Sequence, residues 1–183
     1  LFESAGLMNQ QYKQIEKIHE SSSALISRAE RESDLLPVLL KASKPASSSQ
    51  AAEIIRHEGE IIGSLSARNI VKLLDLDDSG SSCVLVLEDF GGVLFSKYLS
   101  GKLLSTEEFL YLAIQAARAL ESVHSAKIIH KNINPGSFYY NPDSGELKLE
   151  NFEAATWVPK EKQVFDHAGC LTGSLPYISP EQT

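Results

Sequence analysis

The stretch Ile128-Ile129-His130-Lys131-Asn132-Ile133-Asn134-Pro135-Gly136-Ser137-Phe138 decides how the chain is interpreted. Two apolar residues suited to a short strand lead into a histidine, a basic residue and a polar loop that ends in Pro and Gly. Aromatic residues then resume with Phe138-Tyr139-Tyr140. A polar loop between two buried strands is a typical place for chemistry, because the rigid strands fix its side chains. The pattern therefore predicts a functional site at this loop.

The bulk composition is that of a globular protein. The 183 residues are 43% hydrophobic and 22% charged, which is sufficient for a core. The net charge of −7 argues against non-specific binding to nucleic acid. Cys83 and Cys170 lie far apart and do not have the spacing of metal ligands. A reduced cytoplasmic location is the simpler interpretation, and a single disulfide between them is the less favoured alternative.

The sequence gives no indication of a membrane segment or a signal peptide. No apolar run approaches the roughly 18–20 residues that a spanning helix needs. The N-terminus lacks a basic region followed by an apolar stretch. Residues 1–11 are interpreted as an N-terminal extension or an upstream remnant before Met8, and a cut-out fragment explains the start equally well.

The first half of the chain predicts a small antiparallel sheet with one inserted helix. Isoleucines recur at three- and four-residue steps over 50–65, which favours a helix, and serines in the preceding loop can cap it. Five short apolar segments separated by turn residues are predicted strands: 12–18, 24–29, 37–42, 70–76 and 83–87.

The second half predicts helices and a hairpin. Gly91-Gly92 breaks the chain before a short helix over 93–99, and Ser105-Thr106-Glu107-Glu108 is a capping-box pattern. A hairpin turn is predicted at 141–145. Together these elements predict an α+β fold with two lobes. The apolar face of the long helix is predicted to consist of Phe109, Leu112, Ala113, Ala116, Leu120 and Val123.

Several separated motifs, in order and at matching distances, resemble the protein kinase family from about residue 12 onward. Lys41 stands at the third-strand lysine that touches the nucleotide phosphates, and Glu58 at the helix glutamate that pairs with it. Residues 86–92 look like the hinge, with Leu87 as gatekeeper. The resemblance implies two cofactor-binding positions there: Glu88 and Phe90.

The C-terminal motifs extend the resemblance. Residues 148–153 occupy the place of the Asp-Phe-Gly segment, and 173–181 are similar to the end of a Ser/Thr-kinase activation segment. The resemblance implies a small lobe over 12–88, and a hinge with a partial large lobe over 89–183. The large lobe is expected to be truncated just after the Ala-Pro-Glu-like triplet Ser179-Pro180-Glu181.

The resemblance also identifies positions where the chemistry is altered. The catalytic base is expected to be Asp, and Asn132 stands there; an amide cannot take the proton of a hydroxyl at neutral pH. The two metal positions hold Asn151 and Ser137, whereas Mg²⁺ is usually held by carboxylates and phosphate oxygens. Glu153 replaces the last glycine of the Asp-Phe-Gly segment, and Asn134 replaces the lysine typical of Ser/Thr kinases.

Two further features of the sequence weaken the expected phosphate and metal contacts. Residues 20–24 (Glu-Ser-Ser-Ser-Ala) replace the glycine loop, so the close backbone approach to phosphate is lost. Glu150 would point the other way in a strand and is a poor substitute for the missing metal ligand.

Other residues have structural interpretations. His130 and Phe152 are expected to pack beneath the loop whether or not catalysis occurs. Lys41 and Glu58 either hold a phosphate or only tie the helix to the sheet. Thr172 and Ser174 are either phosphorylation sites or ordinary loop residues. Packing or surface roles are favoured for His124, Cys83, Cys170 and Trp157.

The leading hypothesis is a pseudokinase that acts as a regulatory, nucleotide-binding or partner-binding module. The alternative is a weak or atypical ATP-dependent Ser/Thr kinase, and a third hypothesis is a truncated sequence without a function of its own. The family implies ATP as cofactor, while the replaced ligands argue against Mg²⁺. The sequence of residues 133–135 and 177–183 resembles that of kinase-like N-terminal domains in large signalling proteins. Their ATPase and sensor-histidine-kinase modules would be the partners.

Overall fold

The computed structural model describes residues 11–21, 23–44, 48–78, 82–158 and 175–177. The chain divides into two compact units. The first contains the described residues up to Gly63 together with Val71–Phe90, and the second contains Ser64–Ile70 and the described residues from Gly91 onward. Several predictions lie outside the described residues: the N-terminal extension up to residue 10, the side chains of the capping serines at 48 and 49, Cys170, Thr172, Ser174 and Ser179-Pro180-Glu181.

The first unit is a five-stranded antiparallel sheet with one helix, which confirms the predicted α+β class and its small-lobe pattern. The strand order is β1-β2-β3-β5-β4, and every neighbouring pair is antiparallel. The strands are β1 (Tyr12–Glu20), β2 (Ala24–Arg31), β3 (Leu36–Ser43), β4 (Leu73–Asp78) and β5 (Cys83–Glu88).

One face of this sheet carries a compact apolar cluster. Alternate residues of β3 and β5 point to the same side because side chains alternate along a strand. Leu40 and Leu74 pack against the cluster as partly buried residues. The buried members are Tyr12, Ala29, Val38, Ala42, Val84 and Val86.

Helix α1 (Ser48–Gly63) packs against β3, β4 and β5. Its isoleucines Ile55, Ile61 and Ile62 are buried, as the spacing predicts. A Cβ atom at Gly59 would lie only 2.7 Å from Cδ2 of Leu85. The helix therefore approaches β5 closely at a residue without a side chain.

The predicted strand 70–76 is wrong at its start, since β4 begins at Leu73. Ile70 instead forms an isolated parallel bridge with Leu149. The carbonyl of Asn69 accepts a hydrogen bond from the N–H of Leu149 at 2.8 Å. Residues 69 and 70 are therefore held by the second unit, and the strand can begin only after them.

The second unit combines helices with short strands. A three-stranded sheet has the order β6-β8-β9, and β7 pairs with β10. The predicted helix over 93–99 begins only at Phe95, because Val93 and Leu94 pair with Tyr140 and Tyr139. The elements are β6 (Val93–Leu94), α2 (Phe95–Leu99), α3 (Thr106–Ser125), β7 (Ile128–Ile129), β8 (Phe138–Asn141), β9 (Glu146–Leu149) and β10 (Thr156–Trp157).

Helix α3 begins with the predicted capping box. The Ser105 side chain accepts from the N–H of Glu108, whose carboxylate accepts from the N–H of Ser105. The predicted buried face is wrong at Phe109, which is 58% exposed. It lies in the first turn of the helix, ahead of the residues that meet the β8–β9 hairpin. The buried side chains are Leu112, Gln115, Ala119 and Val123.

The β8–β9 hairpin has the predicted turn. The side-chain oxygen of Asn141 accepts from the N–H groups of Asp143 and Ser144, and its carbonyl accepts from the N–H of Gly145. Gly145 has φ +71°, a conformation that favours glycine. Among the residues that the structure describes, no helix is long and apolar enough to cross a membrane.

Candidate functional site

Lys41 and Glu58 form a buried ion pair in the first unit. Lys41 lies on β3 between Ile26 of β2 and Leu85 of β5 in the strand register. Alternation along β3 directs its side chain away from the apolar cluster and toward α1. The ammonium nitrogen lies 2.9 Å from Oε1 and 2.8 Å from Oε2 of Glu58. Both side chains are almost completely withdrawn from solvent.

Because the pair is buried, neither charged group would be stable at its position without the other. Removing two charges from water costs several kcal/mol per ion, and only their close mutual contact offsets that cost. Each group therefore depends on the other. The pair ties α1 to the middle of the sheet, which is one of the two roles expected for these residues; binding of a phosphate remains a prediction.

Leu87 and Glu88 are the last two residues of strand β5, and both are held by neighbouring strands or residues. Leu87 is buried and pairs with Leu39 and Leu73. The carboxylate of Glu88 accepts from the N–H of Lys72 at 2.8 Å, and the N–H of Glu88 donates to the carbonyl of Lys72 at 3.0 Å. The Glu88 side chain thus binds the residue before β4. Phe90 is the last residue of the first unit.

The β1–β2 turn satisfies its own backbone. The hydroxyl of Ser21 accepts from the N–H of Ala24 at 3.0 Å and from the N–H of Ser23 at 3.3 Å. These are amides of the turn that stands in place of a glycine loop. Two backbone N–H groups of this turn are therefore already paired with a side-chain oxygen.

Glu20 lies beside the same turn with two lysines. Lys44 Nζ is 2.6 Å from one carboxylate oxygen, and Lys17 contacts the other. Hydrogen bonds from Lys17 and then Lys44 lower the pKa of Glu20 from 4.5 to about 2. Because Glu20 pairs with Leu25, it lies on the opposite sheet face from Lys41. The two lysines therefore do not add positive charge to the Lys41 face.

His130 is fixed at the base of the loop in the second unit. Its Nε2 lies 3.1 Å from the backbone oxygen of Glu150, and its Nδ1 accepts from the N–H of Asn132 at 3.3 Å. Its ring packs against Phe152 with 4.6 Å between ring centroids. All three side chains of His130, Glu150 and Phe152 are buried. The histidine thus connects the loop to the segment after β9.

Asn134 organises the loop that follows. Its Nδ2 donates to Oδ1 of Asn132 at 2.9 Å and to the Asn132 carbonyl at 3.2 Å. Its Oδ1 accepts from the N–H of Gly136 at 2.7 Å. The buried hydroxyl of Ser137 donates to the Asn132 carbonyl at 2.5 Å. The side chain at position 132 is therefore held by its own loop.

Two residues of the site have left-handed backbone conformations. Asn151 has φ +66° and Lys131 has φ +63°. Asparagine tolerates this region, whereas lysine adopts it at a cost of about 1–3 kcal/mol. Such strain persists only where the surrounding structure enforces it. The backbone on both sides of the site is therefore specified closely, although the side chains at 132 and 151 are uncharged.

The side-chain oxygens at the two expected metal positions and at position 132 are poor ligands for a magnesium ion. Asn151, Ser137 and Asn132 offer neutral amide and hydroxyl oxygens, whereas this hard ion is usually held by one or two carboxylates besides phosphate. The Ser137 hydroxyl is already committed to the Asn132 carbonyl. Within the described ranges, no group of three or more His, Cys, Asp or Glu side chains could hold a metal ion.

Sequence patterns missed a polar connection behind the site. Gln115 on α3 accepts from the N–H of Leu147 at 2.9 Å and donates to the carbonyl of Gly145 at 2.9 Å. Asn69 donates to Gln115 at 3.3 Å and to the carbonyl of Leu147 at 3.1 Å. A polar residue at a buried helical position was the only signal for it. The network supports β9, which leads to Asn151.

Three residues for which the sequence favours packing or surface roles are Cys83, His124 and Trp157. Cys83 is buried at the start of β5, and burial raises the pKa of its thiol to about 11. A thiol with so high a pKa is a poor nucleophile at neutral pH. His124 is exposed near the end of α3, and Trp157 is 40% exposed on β10.

The family model for the protein kinase domain matches residues 12–183. The chain therefore belongs to the protein kinase family. It is 28% identical to serine/threonine-protein kinase PrkC of Bacillus subtilis over 128 residues, which cover 69% of this chain and 19% of PrkC. It is 27% identical to human serine/threonine-protein kinase ULK1 over 172 residues, which cover 89% of this chain and 16% of ULK1.

A third relative is the Aurora kinase of Schizosaccharomyces pombe, 30% identical over 128 residues that cover 69% of this chain and 34% of that kinase. The aligned part of the chain thus spans between 16% and 34% of the length of these relatives. PrkC and ULK1 are serine/threonine-protein kinases by name. Because these identities are low, the residue types at individual site positions indicate which functional groups of a kinase this chain retains.

Proposed function

We propose that this domain is a pseudokinase: a kinase-fold module that regulates a larger signalling protein and is impaired in phosphotransfer. The main observation that supports this proposal is a contrast. The Lys41–Glu58 ion pair is assembled, whereas the side chains at positions 132, 137 and 151 are uncharged. Phosphotransfer depends on positioning, charge neutralisation and an oriented hydroxyl. One positioning element, the Lys41–Glu58 ion pair, is present, whereas neutral residues stand where the chemistry requires a catalytic base and metal ligands.

The altered residues reduce catalysis by more than one route. Asn132 cannot act as the base, a role worth roughly 10²–10⁴ in rate. The neutral donors at 137 and 151 weaken Mg²⁺ binding. The Ser21 hydroxyl competes for backbone amides of the β1–β2 turn. These effects act on different steps, and together they support a loss of activity.

The proposed ligand is ATP, bound through Lys41, Glu58, Glu88 and Phe90 without a dedicated metal site. The proposed partners are ATPase or histidine-kinase modules of the same polypeptide in the cytoplasm. The ATP assignment extends from the kinase motifs at 41, 58 and 86–92. The partner assignment extends from the resemblance of residues 133–135 and 177–183 to kinase-like domains of large signalling proteins.

A radiolabelled phosphotransfer assay with Mg²⁺ and ATP tests the main proposal. We expect the purified chain to show no more incorporation than a Lys41→Ala variant. Incorporation clearly above this control would overturn the pseudokinase assignment. ATP binding is measured separately, because a ligand selective for the native state raises its melting temperature. An unchanged melting temperature at millimolar ATP would remove nucleotide binding from the proposal.

A second candidate function is a weak or atypical Ser/Thr kinase. It is favoured by the intact Lys41–Glu58 pair and by the Ser/Thr kinases among the relatives. The same assay separates the two functions, since this candidate predicts incorporation that depends on both Mg²⁺ and Lys41.

A further inference from the structure

We infer that Arg28 is a positioning residue that holds the segment Glu88–Phe90 in place through Asp89. Arg28 lies in the middle of β2, 61 residues from Asp89. Its Nε lies 2.5 Å from Oδ2 of Asp89, and its Nη2 lies 3.5 Å from Oδ1. The contact joins a regular strand to Asp89, which together with Phe90 follows β5 and has no regular structure.

The burial of Asp89 makes this contact different from surface ion pairs. The Asp89 side chain is 5% exposed, and that of Arg28 is 30% exposed. A nearly buried carboxylate has lost most of its water and depends on the charged groups beside it. Arg28 also reaches the exposed carboxylate of Glu16 at 3.5 Å. Arg28 therefore has a second acid within reach, and the buried Asp89 carboxylate is the less exposed of the two.

The segment is secured from two sides within the first unit. Glu88 exchanges two hydrogen bonds with Lys72, and Asp89 binds Arg28. The second unit begins two residues later at Gly91, which has φ +75°. The protein itself thus fixes the chain as far as Asp89, two residues before this glycine.

Preorganisation of this kind has a functional consequence. A ligand that meets an already ordered segment does not have to order it on binding. For nucleotide binding this consequence rests on the proposed function, because Glu88 and Phe90 are proposed ligand contacts. The positioning role itself is a property of the first unit and is measured without any ligand.

Amide hydrogen exchange on the complete chain tests the inference. The reporters are the N–H groups of Glu88 and Lys72, and the reference amides are those of β3 and of Val84–Val86 in the middle of β5. In Arg28→Met we expect about tenfold faster exchange at the reporters, with much smaller changes in the reference amides. Arg31→Met is the matched control, because Arg31 lies on the same strand and holds the exposed Asp34. It should leave the reporters unchanged.

Asp89→Asn keeps the inference testable if Arg28→Met does not fold. This variant retains the shape of the side chain and removes the buried charge, and we expect the reporters to exchange faster in it as well. Equal acceleration at reporters and reference amides would reduce Arg28 to a general stabilising residue and overturn the inference. Unchanged reporter exchange in a folded variant would overturn it too.

Discussion

The ammonium group of Lys41 lies within 2.9 Å of both carboxylate oxygens of Glu58, and both side chains are buried. Such a contact between a central strand and the only long helix of the first unit, as far as it is described, fixes where that helix lies. The pair is therefore both a structural tie and the part of the kinase arrangement that the chain retains.

Removal of one partner of this pair should destabilise the protein severely. In Lys41→Met the Glu58 carboxylate stays buried without its cation, and we expect a loss of about 3–5 kcal/mol in the free energy of unfolding. Urea denaturation followed by circular dichroism measures it. The double variant Lys41→Met/Glu58→Leu should lose clearly less than the sum of the single variants. Additive losses would show that the two charges are not coupled.

The close approach at Gly59 leads to a contrast between two glycines of α1. A Cβ at Gly59 would lie 2.7 Å from Leu85, which is fully buried, whereas one at Gly63 would lie an ordinary 3.4 Å from Leu73. Overpacking costs about 1–3 kcal/mol, and the gain in helix propensity from Gly to Ala offsets at most about 1 kcal/mol of it. Gly59→Ala should therefore lower the free energy of unfolding, and Gly63→Ala should not.

Thermal and urea unfolding of the two variants measure this difference in the free energy of unfolding. Because Gly63 lies at the end of the same helix, it controls for the general effect of alanine. If Gly59→Ala were as stable as the wild type, Leu85 would have room to move, and the helix would not be set by close contact.

The local pattern of the sequence was sufficient for most elements of the first unit. Strands β1, β2, β3 and β5 follow from apolar runs between turn residues, and α1 from the spacing of its isoleucines. The start of β4 was not predictable in this way. It depends on a hydrogen bond from Leu149, a residue 80 positions away from Asn69, and no local pattern contains that information.

The site was identifiable from the resemblance of its motifs, but its internal connections were not. The bond from Asn134 to Asn132 depends on how the loop backbone folds back on itself. The Arg28–Asp89 pair joins residues that neither periodicity nor motif relates. Long-range polar contacts of this kind depend on tertiary structure, so a single sequence does not reveal them.

Gln115 is predicted to be important for the stability of the second unit. Its amide group satisfies the N–H of Leu147 and the carbonyl of Gly145, and it also accepts from Asn69. In Gln115→Leu the N–H of Leu147 and the carbonyl of Gly145 lose this partner, which should cost about 1–3 kcal/mol for each buried group left unsatisfied. Thermal unfolding measures the loss. Arg118→Leu, at an exposed position of the same helix, should change the melting temperature little.

Glu20 should titrate far below an ordinary glutamate. Lys17 and Lys44 favour its ionised form and lower its pKa from 4.5 to about 2. A depressed pKa contributes stability that is present above the ordinary value and is lost as the pH falls through about 2. Since Glu20 is exposed, the effect on stability is small and decreases with salt.

Carbon-detected NMR of the Glu20 carboxyl follows this titration directly. The double variant Lys17→Met/Lys44→Met should bring the midpoint back toward 4.5, and high salt should shift it in the same direction. A wild-type midpoint near the ordinary value would mean that the two lysines do not hold this carboxylate in solution.

The loop around Asn132 should accept the missing carboxylates. Asn132→Asp preserves the shape of the side chain, and the Nδ2 of Asn134 can donate to a carboxylate oxygen as it does to Oδ1 of Asn132. Asn151→Asp fits as well, because Asp tolerates the left-handed conformation that Asn151 adopts. The double variant restores both a base and a ligand for Mg²⁺ in a backbone already arranged for them.

We therefore expect Asn132→Asp/Asn151→Asp to show Mg²⁺-dependent phosphotransfer roughly 10²-fold above the wild type, the lower end of what a general base contributes. The measurement is radiolabel incorporation from ATP, and the same reaction with EDTA in place of Mg²⁺ is the control that should abolish it. Either single variant should gain much less, because base and metal act in the same transition state. An inactive but folded double variant would place the defect elsewhere, first in the β1–β2 turn, where the Ser21 hydroxyl occupies the backbone amides.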